Sequence, residues 1–149
     1  MARVVELAGH PAVYAGRLLA EGGHDVIRVE PPGGDALRRV GPYLGKKPDV
    51  EHGAFHQFFN AGKRSLTLDT TTADGQGIWV NLLRTADVAI VSLPMPVDEA
   101  TVRVANPRLV LVEVEGEETP ELCGYARSGL LSITGHKDRA PALMGGHVI

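Results

Sequence analysis

The stretch at residues 59–69, Phe-Asn-Ala-Gly-Lys-Arg-Ser-Leu-Thr-Leu-Asp, decides how the rest of the chain is interpreted. It places two adjacent cations, Lys63 and Arg64, after a glycine turn and before a short strand at 65–69. A nucleotide-binding P-loop would continue into a helix at this point, and its first glycine position is here occupied by Gln57. The pattern therefore argues against a nucleoside triphosphatase.

The residues that precede this stretch predict a β-α-β unit. Residues 4–7 form a short apolar run typical of a buried strand, and Pro11 stands where a helix can begin. Apolar residues at helical spacing continue as far as a Gly-Gly pair at 22–23, which predicts the helix end. A second strand at 26–30 ends in a Pro-Pro-Gly-Gly loop. Two strands joined in this way are expected to be parallel, with a right-handed crossover.

Strands and helices also alternate after the stretch. Predicted helices at 74–85 and 97–105 alternate with strands at 86–92 and 109–114, and a further helical piece is expected at 128–133. This alternation predicts an α/β fold, a Rossmann-like parallel sheet with helices on both faces. Such sheets bind ligands outside the carboxyl ends of their strands. The loops at these ends are expected at 8–12, 30–39, 69–72 and 92–96.

The composition limits the classes of function. The 149 residues suffice for one domain with a hydrophobic core, and the net charge of −3 gives no support to nucleic-acid binding. The single cysteine, Cys123, cannot form an internal disulfide. No apolar run approaches the roughly 20 residues of a membrane-spanning helix. We therefore expect a soluble cytoplasmic protein with neither nucleic acid nor membrane as a partner.

Residues 41–58 are rich in Gly, Pro and Lys, and they predict a loop with about one turn of helix. His52 and His56 within it are four residues apart, which on a helix would suit a metal ion. No third ligand accompanies them, so we interpret them as loop histidines and expect no metal.

Four cations come from two predicted loops on the same side of the sheet. They are Arg38, Arg39, Lys63 and Arg64. Arginine presents a fork suited to phosphate and lysine a point charge, so together they could bind a polyanionic ligand. A solvated loop face explains the same residues, and charge alone favours that explanation.

A dinucleotide site is a further hypothesis. Gly9 follows the first strand, Gly16 lies in the helix and Glu30 ends the second strand, as in a Rossmann unit. The glycine spacing of that motif is absent, however, and Pro11 offers no N–H to a pyrophosphate. We keep a dinucleotide-binding module as the weakest alternative.

Several motifs, in their order along the chain, resemble the family III CoA-transferases, the CaiB/BaiF group that includes formyl-CoA transferase. The segment at 60–69 is similar to the family motif N-x-G-K-R-S-x-x-L-D, and the segment at 25–35 is similar to the family's opening β-α-β unit. The remaining segments that carry the resemblance lie at 14–20, 86–88, 106–110 and 128–135. The resemblance extends over essentially the whole chain.

This resemblance implies a CoA-binding domain over residues 1–149 and transfer of CoA between carboxylic acids through an aspartyl intermediate. Acyl-CoA would be a substrate, with no permanently bound cofactor, and the protein would form a homodimer or pair with a complementary subunit. Positions carried over from the family, together with the cation Arg38, predict these CoA-facing residues: His10, Pro11, Ala12, Pro31, Arg38, Leu68, Thr71, Ser92 and Leu93.

The sequence departs from the family pattern in several places, among them a first loop that is one residue shorter than that of formyl-CoA transferase. Val91-Ser92-Leu93 stands where Glu-Asn-Phe is common, Thr71 where lysine is common, and an acidic segment at 115–118 where a glycine-rich one is expected. The family's nucleophilic aspartate is expected just beyond Ile149. We therefore expect an N-terminal part that is catalytically silent in isolation, and a non-catalytic partner subunit or pseudoenzyme remains the alternative.

Overall fold

The computed structural model describes residues 1–45, 47–114 and 121–142. The chain divides into two compact units, Met1–Glu115 and Gly116–Ile149. The sequence interpretations that concern the acidic segment at 115–118 and the segment before the expected nucleophile at 143–149 lie outside the described residues.

The first unit is built on a five-stranded sheet in which every pairing is parallel. Its strand order is β3-β2-β1-β4-β5, so the chain first builds one half of the sheet and then crosses to the other side of β1. This confirms the predicted α/β class. The strands are β1 (Arg3–Leu7), β2 (Asp25–Glu30), β3 (Arg64–Thr67), β4 (Val88–Ser92) and β5 (Val110–Val114).

Helix α1 (His10–Glu21) covers one face of the sheet. Its small side chains, among them Ala12, pack against Val4, Val26 and Ile90 of three adjacent strands. Small residues at this interface let the helix axis approach the sheet closely. The chain leaves the helix through Gly23, whose φ of +84° is a conformation that favours glycine.

Helices α3 (Ala73–Arg84) and α4 (Glu99–Ala105) cover the opposite face. Trp79 and Leu83 of α3 are fully buried with Val102 of α4 against the central strands. Each such side chain contributes about 1.5–3 kcal/mol when it is removed from water. Side chains at the N-caps set where both helices begin, because the Thr72 hydroxyl and the Asp98 carboxylate accept from backbone N–H groups of the first turn.

The segment between β2 and β3 contains more helix than the sequence predicts. A 3₁₀ turn at Ala36–Arg39 is followed by α2 (Ala54–Asn60), which begins inside the predicted loop and runs two residues past it. The rings of Phe58 in α2 and Tyr14 in α1 stack with centroids 6.1 Å apart. This tertiary contact stabilises a helix that is too short to be signalled by its own periodicity.

The second unit contains α5 (Glu121–Arg127) and α6 (Leu130–Ile133) among its described residues. The sequence predicts one helical piece at 128–133, but the structure has a turn at its start. Gly129 has a φ of +80°, which separates the two helices, and the Ser128 hydroxyl donates to the Tyr125 carbonyl at 3.1 Å. Throughout the described ranges, no helix combines the length and apolar character needed to cross a membrane.

Candidate functional site

The chain first builds the sheet on one side of β1 and then crosses to β4 on the other side, so the β1–β4 pair is the switch point of the sheet. In parallel sheets a ligand cleft is expected at such a point, outside the carboxyl ends of the two strands. The backbone N–H of Gly9, which follows β1, donates to Ser92 Oγ at the end of β4 over 2.9 Å. Ser92 therefore links the ends of the two strands that flank this expected cleft. The sequence places Ser92 among the CoA-facing residues, and the structure places it at the switch point of the sheet.

The predicted CoA-facing residues fall on four loops that follow β1, β2, β3 and β4. Since these strands are neighbours in the sheet, their carboxyl ends form a row, and three strand spacings give it a length of about 14 Å. Ala12 and Leu68 are buried at this edge, whereas Pro31 and Thr71 are exposed and Leu93 is 36% exposed. His10 and Pro11 form the first turn of α1, and only their backbone is described.

The loop after β3 is held by a compact hydrogen-bond arrangement around Asp69. Its Oδ1 accepts from the Thr71 hydroxyl at 2.6 Å and from the Thr71 N–H at 3.0 Å, and these bonds lower the pKa of Asp69. The Asp69 carbonyl lies so near Gly75 that a Cβ there would approach it to 1.7 Å. Asp69 is thus an organiser of the loop, and the Thr71 hydroxyl is already engaged within the protein.

Arg38 binds two carboxylates of its own chain. Its Nε and Nη2 donate to the two Glu30 oxygens at 2.6 and 2.8 Å, and its Nη1 donates to Glu51 at 2.8 Å. Burial alone would raise the pKa of Glu30, but hydrogen bonds from Arg38 and from the Asp35 N–H outweigh it and lower that pKa to about 2. The charge of Arg38 is therefore largely neutralised before any ligand arrives.

Arg39 lies in a different environment at the same edge. Among its contacts within the described residues, Nη2 donates to the Gly33 carbonyl at 2.7 Å and Nη1 to the Gly34 and Asp35 carbonyls at 3.3 and 3.4 Å. The side chain is exposed and no recorded contact is with a carboxylate. Arg39 thus brings a positive charge to the loop that follows β2.

Lys63 does not face a ligand cleft. Its side chain is 1% exposed, and Nζ donates to Glu6 at 2.9 and 3.0 Å and to the Val13 carbonyl at 2.8 Å. Glu6 also accepts from Arg28 Nη1 at 2.7 Å. Burial lowers the pKa of Lys63 and raises that of Glu6, and the opposite charges beside each group counteract both shifts. This buried ionic cluster lies beneath α1, inside the domain.

Arg64 lies at the opposite end of the sheet from Arg38. It begins β3 and its Nε lies 3.2 Å from Asp25 Oδ1 at the start of β2, whereas Arg38 binds Glu30 at the end of β2. The predicted cluster of four cations on one side of the sheet is therefore wrong. The length of β3 separates Arg64 from the carboxyl edge of the sheet. Lys63 is buried inside the domain and does not reach that edge.

The geometry also bears on the dinucleotide hypothesis. In that hypothesis Glu30 would receive hydrogen bonds from a ribose, which requires an exposed carboxylate. Glu30 is 2% exposed, and Arg38, Ser65 and the Asp35 N–H all donate to its oxygens. Glu30 is a structural carboxylate in this chain.

His52 and His56, which are spaced as metal ligands could be, have separate partners in the structure. His52 Nδ1 lies 3.0 Å from Asp49 on the surface, and His56 is buried in α2 with its Nδ1 3.0 Å from the Asn60 amide. Burial and the nearby Arg38 charge lower the pKa of His56. The described part of the chain contains no group of three metal-ligating side chains.

Glu6, Gly16 and Arg28 are the structural residues that sequence reasoning missed. None of the three stands out as a residue type, but a charged residue inside a buried strand is unusual and requires a partner of opposite charge or a hydrogen bond. That signal was present at Glu6 and Arg28, which are Cα partners in β1 and β2.

The fold defines the class first: an α/β protein with a parallel sheet, in which a ligand cleft is expected at the carboxyl edge. The family model described as CoA-transferase family III matches residues 2–149, and the chain belongs to that family. The resemblance found in the sequence is thereby confirmed.

Named relatives and a solved structure agree with this assignment. The chain is 37% identical to succinate–glutarate CoA-transferase of Agrobacterium fabrum, with 96% of this chain and 40% of the relative covered. It is 32% identical to formyl-CoA:oxalate CoA-transferase of Streptomyces avermitilis, with 90% and 35% covered. A CAIB/BAIF family protein from Brucella suis superposes with a TM-score of 0.83 at 29% identity, over 98% of this chain and 43% of that one. The chain thus spans about two fifths of their length.

Proposed function

We propose that this chain supplies the CoA-binding sheet edge of an enzyme that transfers CoA between carboxylic acids. The observation that carries the proposal is the row of four loops at the carboxyl edge, closed at the switch point by the Gly9–Ser92 hydrogen bond. Membership of CoA-transferase family III supports CoA as the ligand of that edge.

The chemistry of the edge fits the parts of CoA. Leu93, which is 36% exposed, offers apolar surface to the pantetheine arm, and Arg39 offers a positive charge to a phosphate. Leu68 is buried in the core and so supports the edge from below. His10 and Pro11 begin α1 beside the cleft, where the thioester end would lie. Arg38, which is predicted to face CoA, donates to Glu30 and so shapes the loop after β2.

For the transfer step we propose an aspartyl intermediate. An aspartate carboxylate would attack the thioester carbonyl of the donor and expel CoA thiolate, which gives a mixed anhydride. The thiolate would then attack the aspartyl carbonyl, releasing the donor acid and leaving an aspartyl-CoA thioester for the acceptor carboxylate. In this proposal the nucleophile comes from outside these 149 residues, and the chain alone does not catalyse the transfer.

A non-catalytic partner subunit is the second candidate. Thr71 donates its hydroxyl hydrogen to Asp69, and Ser92 Oγ accepts from Gly9, so two of the proposed contacts already have partners in the protein. Because these groups would have to give up a hydrogen bond within the protein to contact CoA, we expect the chain by itself to bind CoA weakly. Pairing as a homodimer or with a complementary subunit, and a cytoplasmic location, stay predictions.

Calorimetric titration with CoA tests the proposal, with NAD as the competing ligand. We expect saturable heat with CoA and none with NAD. Leu93→Glu adds a carboxylate at the cleft and should weaken CoA binding about tenfold or more, because like charges repel the phosphates. Val104→Glu, which adds the same charge at an 84% exposed position on α4, is the matched control and should bind as the wild type does.

Three results would contradict the proposal. Absence of heat with CoA would remove CoA binding from this chain. Binding of NAD in preference to CoA would support the alternative that the chain is a dinucleotide-binding module. Equal loss of affinity in both glutamate variants would show that net charge, and not the cleft, governs binding.

A further inference from the structure

Arg28 connects two loops that are far apart in the sequence. Its side chain is 2% exposed, in the middle of β2. Nη1 donates to the Ala8 carbonyl, in the loop after β1, and to Glu6 Oε1 at 2.7 Å. Nη2 donates to Asp35 Oδ2, in the loop after β2. One guanidinium is thus hydrogen-bonded to both loops.

These two loops carry half of the proposed CoA edge. The loop after β1 leads from Ala8 through Gly9, which donates to Ser92, into the first turn of α1. In the loop after β2, Asp35 Oδ1 accepts from the Leu37 N–H at 2.7 Å and so begins the 3₁₀ turn that holds Arg38 and Arg39. A displacement of Asp35 would therefore move the cation that we propose for the CoA phosphates.

Arginine suits this role because of its shape. The guanidinium presents several N–H groups in one plane, so it can donate in two directions at once, whereas lysine offers a point charge at the end of a flexible stem. The charges around it also balance. Arg28 and Lys63 face Glu6 and Asp35, two cations against two carboxylates, which makes the burial of all four tolerable.

From these contacts we infer that Arg28 is a positioning residue, which fixes the loop after β1 and the loop after β2 relative to each other and thereby sets the shape of the CoA cleft. The inference rests on the proposed function for its ligand. Arg28 itself is buried and does not touch CoA.

A purely structural role for Arg28 is the competing explanation, and Lys63 separates the two. Both residues bind Glu6 and both are buried, so removal of either cation disturbs the same carboxylate. The other contacts of Lys63 are with Val13 in α1 and with Asn60 in α2, neither of which lies in the two loops. If only the loss of a buried cation matters, removal of Arg28 and removal of Lys63 should have the same effect. If loop positioning matters, only the removal of Arg28 should disturb the two loops.

The test compares three variants of the chain by residue-resolved amide hydrogen exchange without ligand and by CoA titration. Arg28→Met keeps the length of the stem and removes both loop contacts. Asp35→Asn keeps an acceptor for the Leu37 N–H but weakens the link to Arg28 in the second loop alone. Lys63→Met is the matched control. The amides to follow are those of Gly9, Asp35 and Leu37, whose N–H groups are bonded in the two loops.

We expect Arg28→Met to speed exchange at all three amides and Asp35→Asn to speed it at Asp35 and Leu37 but not at Gly9. Lys63→Met lowers global stability, but loop amides exchange through local openings, so it should leave all three near the wild-type rate. If the loops adopt the binding geometry in only one molecule of ten, CoA affinity falls about tenfold, which is the size of effect expected for Arg28→Met.

Unchanged exchange in Arg28→Met, or the same acceleration in Lys63→Met, would overturn the inference. So would wild-type CoA affinity in an Arg28→Met protein with mobile loops. If Arg28→Met does not fold, the Asp35→Asn variant tests the inference by itself. Unchanged exchange at the amides of residues 35 and 37 would show that the Arg28–Asp35 hydrogen bond does not hold the loop after β2 in place. Failure of the wild-type chain to bind CoA would refute the proposed function, while the exchange data would still decide the link between the loops.

Discussion

Lys63 Nζ and Glu6 Oε2 lie 2.9 Å apart in the interior of the first unit, directly below Gly16 of helix α1. The two residues are separated by 57 positions in the chain. A Cβ at Gly16 would lie 1.6 Å from Glu6 Oε2 and 3.0 Å from Lys63 Nζ. The ion pair and the absence of a side chain at Gly16 are therefore one structural feature, which lets the helix lie close to the sheet.

Gly16→Ala should destabilise the protein. The added methyl group meets a buried carboxylate that is held by two cations and cannot move away freely, so we expect a loss of about 3 kcal/mol in the free energy of unfolding. Chemical denaturation measures it. Gly77→Ala in α3 is the control, because nothing lies within 4 Å of a Cβ there, and alanine should stabilise that helix by about 0.5–1 kcal/mol. Equal effects at the two glycines would contradict the close approach at Gly16.

The two adjacent cations of the opening stretch should behave differently. Lys63→Met leaves Glu6 with one cation fewer in a buried site, and we expect a loss of about 3 kcal/mol in stability. Arg64→Met removes a side chain that is 64% exposed and should change stability by no more than about 0.5 kcal/mol. Urea unfolding of both variants checks this, and a larger effect at Arg64 than at Lys63 would refute the assignment.

Glu30 should make stability depend on acid pH. Its pKa is lowered from 4.5 to about 2 in the folded protein, so the unfolded chain takes up a proton at a higher pH than the folded chain does. Stability from this carboxylate is complete above about pH 5 and is lost as the pH falls toward 2. The stability gap between wild type and Glu30→Gln should therefore narrow by about 2 kcal/mol between pH 7 and pH 3. Parallel curves across that range would contradict the Arg38 pairing.

The sequence allowed the sheet and its helices to be predicted because their signals are local. The apolar run of β1, the helix start at Pro11 and the Gly-Gly pair at 22–23 each lie within a few residues of the element they define. The parallel order of β1 and β2 then followed from the right-handed crossover rule. Strand ends were less certain, and β3 ends at Thr67 where the sequence suggested Asp69.

The sequence shows that Glu6 and Arg28 are charged residues in buried strands and need partners, but it does not show which partners, because the members of the ionic cluster are distant in the chain. Nothing in the spacing of Glu6, Arg28 and Lys63 shows that they meet, and the charge of Lys63 suggested a surface loop. The position of Arg38 in the chain likewise does not show that its guanidinium donates to Glu30. The row of loops was predictable from topology, whereas the exposure and the hydrogen-bond partners of each side chain within it depend on tertiary contacts.

The central claim is that CoA occupies the carboxyl edge of the sheet, and amide hydrogen exchange with and without CoA tests it most directly. The account predicts that CoA slows exchange in the loops after β1, β2, β3 and β4, at 8–12, 31–39, 68–72 and 92–96. The segments that enter the strands at the opposite edge, including 22–24 and 85–87, should exchange at the same rate in both samples. Protection at those segments, or none at the four loops under conditions where CoA is bound, would contradict the account.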